Sequence, residues 1–248
     1  MTIRNPTIER VLPDIFYEDP EPVEDGMQQE VTITLMAFIL RWWFSPRPDV
    51  FVSAGGFIFW NPSNGNERVA PDCYIALGTD PEFVYQFPNY FMWEVGKPPD
   101  FVLEVASPST ASNDLRHKRD LYARLGVTEY WKLDPTGGEL YGVALMGERL
   151  VDGEYAAYDL NIEPDGSVWS RSEVLNLDFI WNGEQFAIRD ALTGERIDPR
   201  ASIEQERFRA DVAESRAEAA ESRTERERQA RLEAETRLRR LIEEREQR

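Results

Sequence analysis

At 248 residues the chain is long enough for one sizeable core and something extra, and its formal net charge of −18 opposes the attraction to phosphate backbones that Lys and Arg create. One cysteine, Cys73, excludes a disulfide framework, and one histidine, His117, leaves no ligand set for a structural zinc site, so a cytoplasmic protein is expected. The longest apolar stretch, Val31 to Leu40, is too short to span a bilayer, and no apolar signal segment lies near Met1, so neither a membrane span nor a targeting segment is expected.

Three segments follow from composition. Residues 1–26 read as an acidic arm, residues 27–199 as the globular domain, and residues 200–248 as a tail rich in Arg and Glu. Within the tail, residues 203–248 hold 12 Arg against 13 Asp and Glu, which leaves −17 of the −18 on the rest of the chain. Along the domain, Val31, Leu35, Phe38, Ile39 and Trp42 recur at helical spacing and predict a first helix over Gln28 to Trp43, although Val-Thr-Ile-Thr-Leu could pass for a strand. Strands are predicted at Val50 to Ala54, Phe57 to Trp60 and Tyr74 to Leu77, with Asp72 at the mouth of the last. An aromatic excursion over residues 78–99 precedes a buried strand, Asp100 to Ala106, and reads as a satellite cluster over the sheet.

Pro108 and a Ser/Thr/Asn cluster end that strand and introduce a helix over Ser112 to Leu125, closed by Gly126. Strand Glu129 to Leu133 and a return at Leu140 to Leu145 predict a hairpin, and further hairpins reach Ile197, one of them turning at Trp181-Asn-Gly-Glu. The order predicts a mixed α/β sheet flanked by helices. In the tail, Glu and Arg at spacings of three and four predict a long C-terminal helix, with only Ala234, Leu238 and Leu241 resembling a coiled-coil seam.

Rotation of about 100° per residue places Asp114, Leu115, Leu121, Tyr122 and Leu125 around Lys118, so a charge stands on the core-facing stripe of its helix. Phe101-Val-Leu-Glu104-Val-Ala106 buries a carboxylate in the same way. Phosphodiester hydrolysis needs a divalent ion and a nearby cation. Asp72 and Glu104 can supply oxygen ligands if their strands are neighbours, the Val105 carbonyl can supply a third, and Lys118 would orient the water. The chain has only three lysines, Lys97, Lys118 and Lys132, against 25 arginines, so a lysine kept on a core face stands out.

Competing readings remain. Asp100 shares a strand face with Glu104 about 13 Å away along the strand, which suits a supporting place better than a shared ion. Glu104 and Lys118 could form a plain buried ion pair, a costly arrangement relative to apolar residues. His117 with Ser107 or Ser109 suggests acyl chemistry, but the nucleophile-elbow motif is missing and His117 points about 100° away from Lys118.

Val69-Ala-Pro-Asp72, Pro99 through Thr110 with Glu104 at its centre, Asp114-Leu-Arg-His-Lys118-Arg-Asp-Leu-Tyr122 and Leu125 through Pro135 together resemble the Uma-two family of restriction endonuclease-like proteins. The resemblance covers roughly residues 12–198. It implies a PD-(D/E)XK nuclease core in residues 27–199 and a magnesium-dependent DNA endonuclease, with manganese as a substitute. Asp72, Glu104 and Lys118 would be catalytic, with Lys118 moved from strand to helix, and Asp114 and Tyr122 would support them. Related first helices often carry a histidine where this chain has Gln28-Gln29, and Glu30 is a candidate substitute. The alternative is an idle module of the same fold that assembles with partners or itself, through the domain or the tail.

Overall fold

The computed structural model describes residues 26–201, 203 and 204. The chain divides into two units, Met1–Ile197 and Asp198–Arg248. In the second, the Asp198 carboxylate accepts from the backbone N–H groups of Arg200 and Ala201, a cap with Pro199 at the first helical position. The predicted remainder of the tail helix and the acidic arm lie outside the described residues.

In the first unit, α1 spans Met27–Phe44. Strands β1 (Val50–Ala54), β2 (Ile58–Phe59), β3 (Arg68–Val69) and β4 (Cys73–Leu77) follow. The aromatic excursion contains α2 (Pro81–Val84), β5 (Tyr90–Phe91) and α3 (Met92–Val95). Next come β6 (Phe101–Val105), α4 (Ala111–Asn113), a π-helical turn (Asp114–Lys118), α5 (Arg119–Leu125) and β7 (Glu129–Leu133). The chain continues through β8 (Leu145–Val151), β9 (Glu154–Ala157), β10 (Asn161–Ile162), β11 (Val168–Ser172), β12 (Leu177–Trp181) and β13 (Phe186–Asp190).

Six strands form the main sheet in the order β1-β4-β6-β7-β8-β9, and smaller sheets have the orders β10-β11-β12-β13 and β3-β2-β5. Within the main sheet β6 and β7 are parallel and the other pairs antiparallel. A parallel pair needs a crossover, here the helical segment that carries Lys118. This is the mixed α/β sheet with flanking helices that the residue pattern predicts.

Alternation along the strands gives the sheet two covered faces. Val52, Ile75, Leu103 and Trp131 pack with Met36 and Leu40 of α1 and with Phe179 and Ile188. On the other face, Phe51, Tyr74, Val102 and Tyr130 pack with Leu121 and Tyr122 of α5. The excursion joins this second core through Val84 and Tyr90, with Phe83 and Met92 packed against it, so it is a hydrophobic cluster over the sheet.

Two elements differ from their predicted form. Helix α1 buries Gln29, Thr32, Met36, Ile39 and Leu40, whereas Val31 is 66% and Phe38 40% exposed. The helix is apolar on most sides, so spacing alone does not select its face; packing against β1, β6 and β13 does. The return of the β7 hairpin starts at Leu145 instead of ending there. The Asp134 carboxylate accepts from the backbone N–H groups of Thr136, Leu140 and Tyr141, and this holds residues 135–144 in turns.

Candidate active site

Cys73 lies opposite Leu103 in the antiparallel β4–β6 pair, and extending the register by one residue sets Asp72 opposite Glu104. The Val105 N–H donates to Asp72 Oδ2 at 2.7 Å, which ties the aspartate to the end of β6. Glu104 alternates with Leu103 and Val105 and therefore faces α5, where its side chain is 1% exposed.

Both Glu104 oxygens have partners there: Tyr122 Oη donates to Oε1 at 2.7 Å, and Lys118 Nζ lies 2.8 Å from Oε2. The same ammonium is 2.9 Å from Asp114 Oδ1, an ion pair without good hydrogen-bond alignment. Asp114 is fully buried, and Tyr141 Oη donates to its Oδ2 at 2.7 Å. Tyr130 Oη donates to the Asp114 carbonyl at 2.9 Å. The i→i+5 turn that presents Asp114 and Lys118 is rare in helices and concentrates at functional sites.

Burial pushes the Glu104 carboxyl up to about 8; Lys118 opposes that shift, and the nearby Asp72 and Asp114 charges add to it. Burial works against the Lys118 ammonium as well, yet Glu104 and Asp114 outweigh it and hold that group above its ordinary value. The Tyr122 hydroxyl is raised well above its ordinary value by burial and by Glu104, so it stays a donor. The arrangement is an acid whose charge depends on pH, next to a cation that keeps its own.

The remaining candidates fall elsewhere. Asp100 sits at the opposite end of β6, where it pairs with Lys97 at 2.6 Å and accepts from the Leu77 N–H. Glu30 is exposed, and its neighbour Gln29 is the residue of that turn directed at β6. Lys132 is opposite Glu104 on β7 but is occupied: it is fully buried, pairs with Glu148, and lies 3.9 Å from the Tyr130 ring centre. Burial lowers its pKa against the pull of Glu148. His117 is exposed, and the Ser107 hydroxyl lies within 3.1 Å of the Ser109 and Thr110 hydroxyls in a turn, so no nucleophile and base are paired.

Residues 15–183 match the Uma2 family, described as "Putative restriction endonuclease". The chain belongs to the Uma2 family. No curated protein matches it. Among solved structures, a Uma2 chain such as this one is similar to a "putative nuclease belonging to DUF820" from Anabaena variabilis ATCC 29413, at 15% identity and a TM-score of 0.41 over 58% of this chain and 72% of that one. Among the described residues of this Uma2 protein, no group of three or more His, Cys, Asp or Glu side chains is arranged to hold a metal ion. The Asp72 and Glu104 carboxylates and the Val105 carbonyl offer oxygen atoms, the donor type that Mg2+ and Mn2+ prefer.

Three polar side chains at this Uma2 site escaped the residue pattern: Gln29, Tyr130 and Tyr141. Gln29 is 4% exposed; its Nε2 donates to the Val105 carbonyl at 3.1 Å, and its Oε1 is buried without a hydrogen-bond partner. Such an orphan costs about 1–3 kcal/mol. Polarity at position 29 within an apolar helix is the available signal, and a helix apolar on most sides conceals it because no dominant stripe marks the buried face. The two tyrosines reach Asp114 from β7 and from the turn after it, separations that no local pattern carries.

Proposed function

We propose that this Uma2 protein is a divalent-metal-dependent endonuclease that hydrolyses DNA phosphodiester bonds, with Mg2+ as the working ion and Mn2+ as a substitute, in the cytoplasm. The observation that carries the reading is the Lys118 ammonium between Glu104 and Asp114, beside an Asp72 that faces Glu104 across two strands. Family membership supports nuclease chemistry. Asp72, Glu104 and the Val105 carbonyl would hold the ion. A divalent ion at such a site neutralises charge on the phosphate and makes water acidic enough to attack.

The chain's own groups do the rest. Tyr122 holds one Glu104 oxygen in place and leaves lone pairs on both oxygens, since a carboxylate offers about four. Lys118 has three N–H donors; its ammonium lies 2.8 Å from Glu104 Oε2 and pairs with Asp114 Oδ1 without good alignment, so a donor is left that can orient a water toward the phosphorus. Its side chain is 13% exposed, which gives it that reach. Asp114 and Tyr141 hold the lysine at its post.

The test is nicking of supercoiled DNA in Mg2+ by the intact protein and by Asp72→Ala, Glu104→Ala and Lys118→Ala. Each variant is expected to lose about 10²–10³-fold in rate. Equal rates in all four proteins would defeat the assignment. A second reading, an idle fold that serves assembly, is favoured by the −17 borne by residues 1–202. It expects no Mg2+-dependent nicking and a change in oligomeric state when residues 203–248 are removed.

A further inference from the structure

We propose that Gln29 is an additional oxygen ligand of this site and sets how tightly it holds a divalent cation. The inference deepens the metal-dependent reading above and rests on it.

Residue 105 is gripped from two sides. Its N–H donates to Asp72 Oδ2 at 2.7 Å, and its carbonyl accepts from Gln29 Nε2 at 3.1 Å. The aspartate reaches it from the mouth of β4, and the glutamine from the first turn of α1, so one residue anchors side chains from separate elements. In a planar amide the oxygen lies about 2.2 Å from the nitrogen. Gln29 Oε1 therefore lies within about 5 Å of the Val105 carbonyl oxygen, and it is buried with no donor to satisfy it.

A buried acceptor without a donor, on an amide that also grips a backbone carbonyl oxygen, is unfavourable for the protein alone and favourable for a hard cation. The amide is fixed in place because its nitrogen is already engaged, so Oε1 needs no rearrangement to accept an ion. Gln29 also lines a cleft of about 440 Å3, bounded by Gly26 to Gln28, Ala106 to Pro108 and the turn at Pro135 to Leu140. The cleft brings solvent up to the residue that carries this oxygen. With Asp72, Glu104 and Val105, Gln29 makes a fourth oxygen donor, three of them anchored on or beside the last two residues of β6.

The experiment uses the full chain and Mn2+ alone, read by electron paramagnetic resonance, with thermal unfolding followed in and out of Mg2+. Gln29→Met keeps the volume and removes the oxygen; it is expected to weaken Mn2+ binding about tenfold or more. Gln29→Glu adds a charged oxygen beside the Val105 carbonyl. It is expected to unfold at a lower temperature without metal and to show a larger Mg2+-induced rise in Tm than the wild type. Unchanged Mn2+ affinity in Gln29→Met, in a protein whose affinity collapses in Asp72→Ala, would overturn the role of Gln29 and leave the site itself standing. Wild-type protein that binds no Mn2+ would overturn both.

Discussion

Replacing Lys118 by Met would leave the Glu104 and Asp114 carboxylates buried side by side without the cation that now separates them. Removing one partner of such a set costs about 3–5 kcal/mol. The cost depends on pH because Glu104 titrates at about 8, against an ordinary 4.5. Between those values the folded protein keeps a proton that the unfolded chain releases, so the contribution of Glu104 is greatest below 4.5 and declines as pH rises through 8. Lys118→Met should therefore lose more stability at pH 9 than at pH 6 by chemical denaturation. An equal loss at both would mean that Glu104 is charged throughout. The same proton opposes an ion, which needs the ionised carboxylate. Under the proposed function, Mn2+ affinity should climb by about tenfold per pH unit below 8 and then level off. A flat profile from pH 6 to pH 8.5 would exclude Glu104 as a ligand.

At the level of elements, the close approach of β7 and β8 gives the clearest test of packing. A Cβ on Gly147 would lie 2.7 Å from the ring of Trp131, and that ring is fully buried with nowhere to swing. Gly147→Ala should cost about 1–3 kcal/mol of stability in denaturant titration. No loss would mean that the two strands can part easily. Short-range pattern made much of the sheet legible: Val50–Ala54 and Glu129–Leu133 are the predicted strands residue for residue, and Gly126 closes α5 with φ 84°. The face of α1 was not legible, because a helix apolar on most sides has no dominant stripe and its neighbours choose for it. Nor were the turns after β7, which depend on Asp134 capturing N–H groups up to seven residues ahead. The meeting of Glu104, Lys118 and Asp114 was half legible: spacing put Lys118 and Asp114 on one core face, but only the strand register brings Asp72 to the same place.

For the molecule as a whole, the charge of −18 remains the fact hardest to reconcile with a nucleic-acid substrate. A protein that neutralises few phosphates shows a shallow dependence of binding on salt. DNA affinity here should change by less than about tenfold between 50 and 200 mM salt, in contrast to the steep loss of proteins making 6–10 phosphate contacts. A steep slope would reveal a basic surface that the residue count hides. No helix among the described residues is long and apolar enough to cross a membrane.

The most direct measurement is anomalous diffraction from a crystal soaked in Mn2+. The account predicts one strong peak at the end of β6, with oxygens of Asp72 and Glu104 at about the 2.1 Å typical of small divalent ions. No peak there, or one confined to surface carboxylates remote from Lys118, would contradict it.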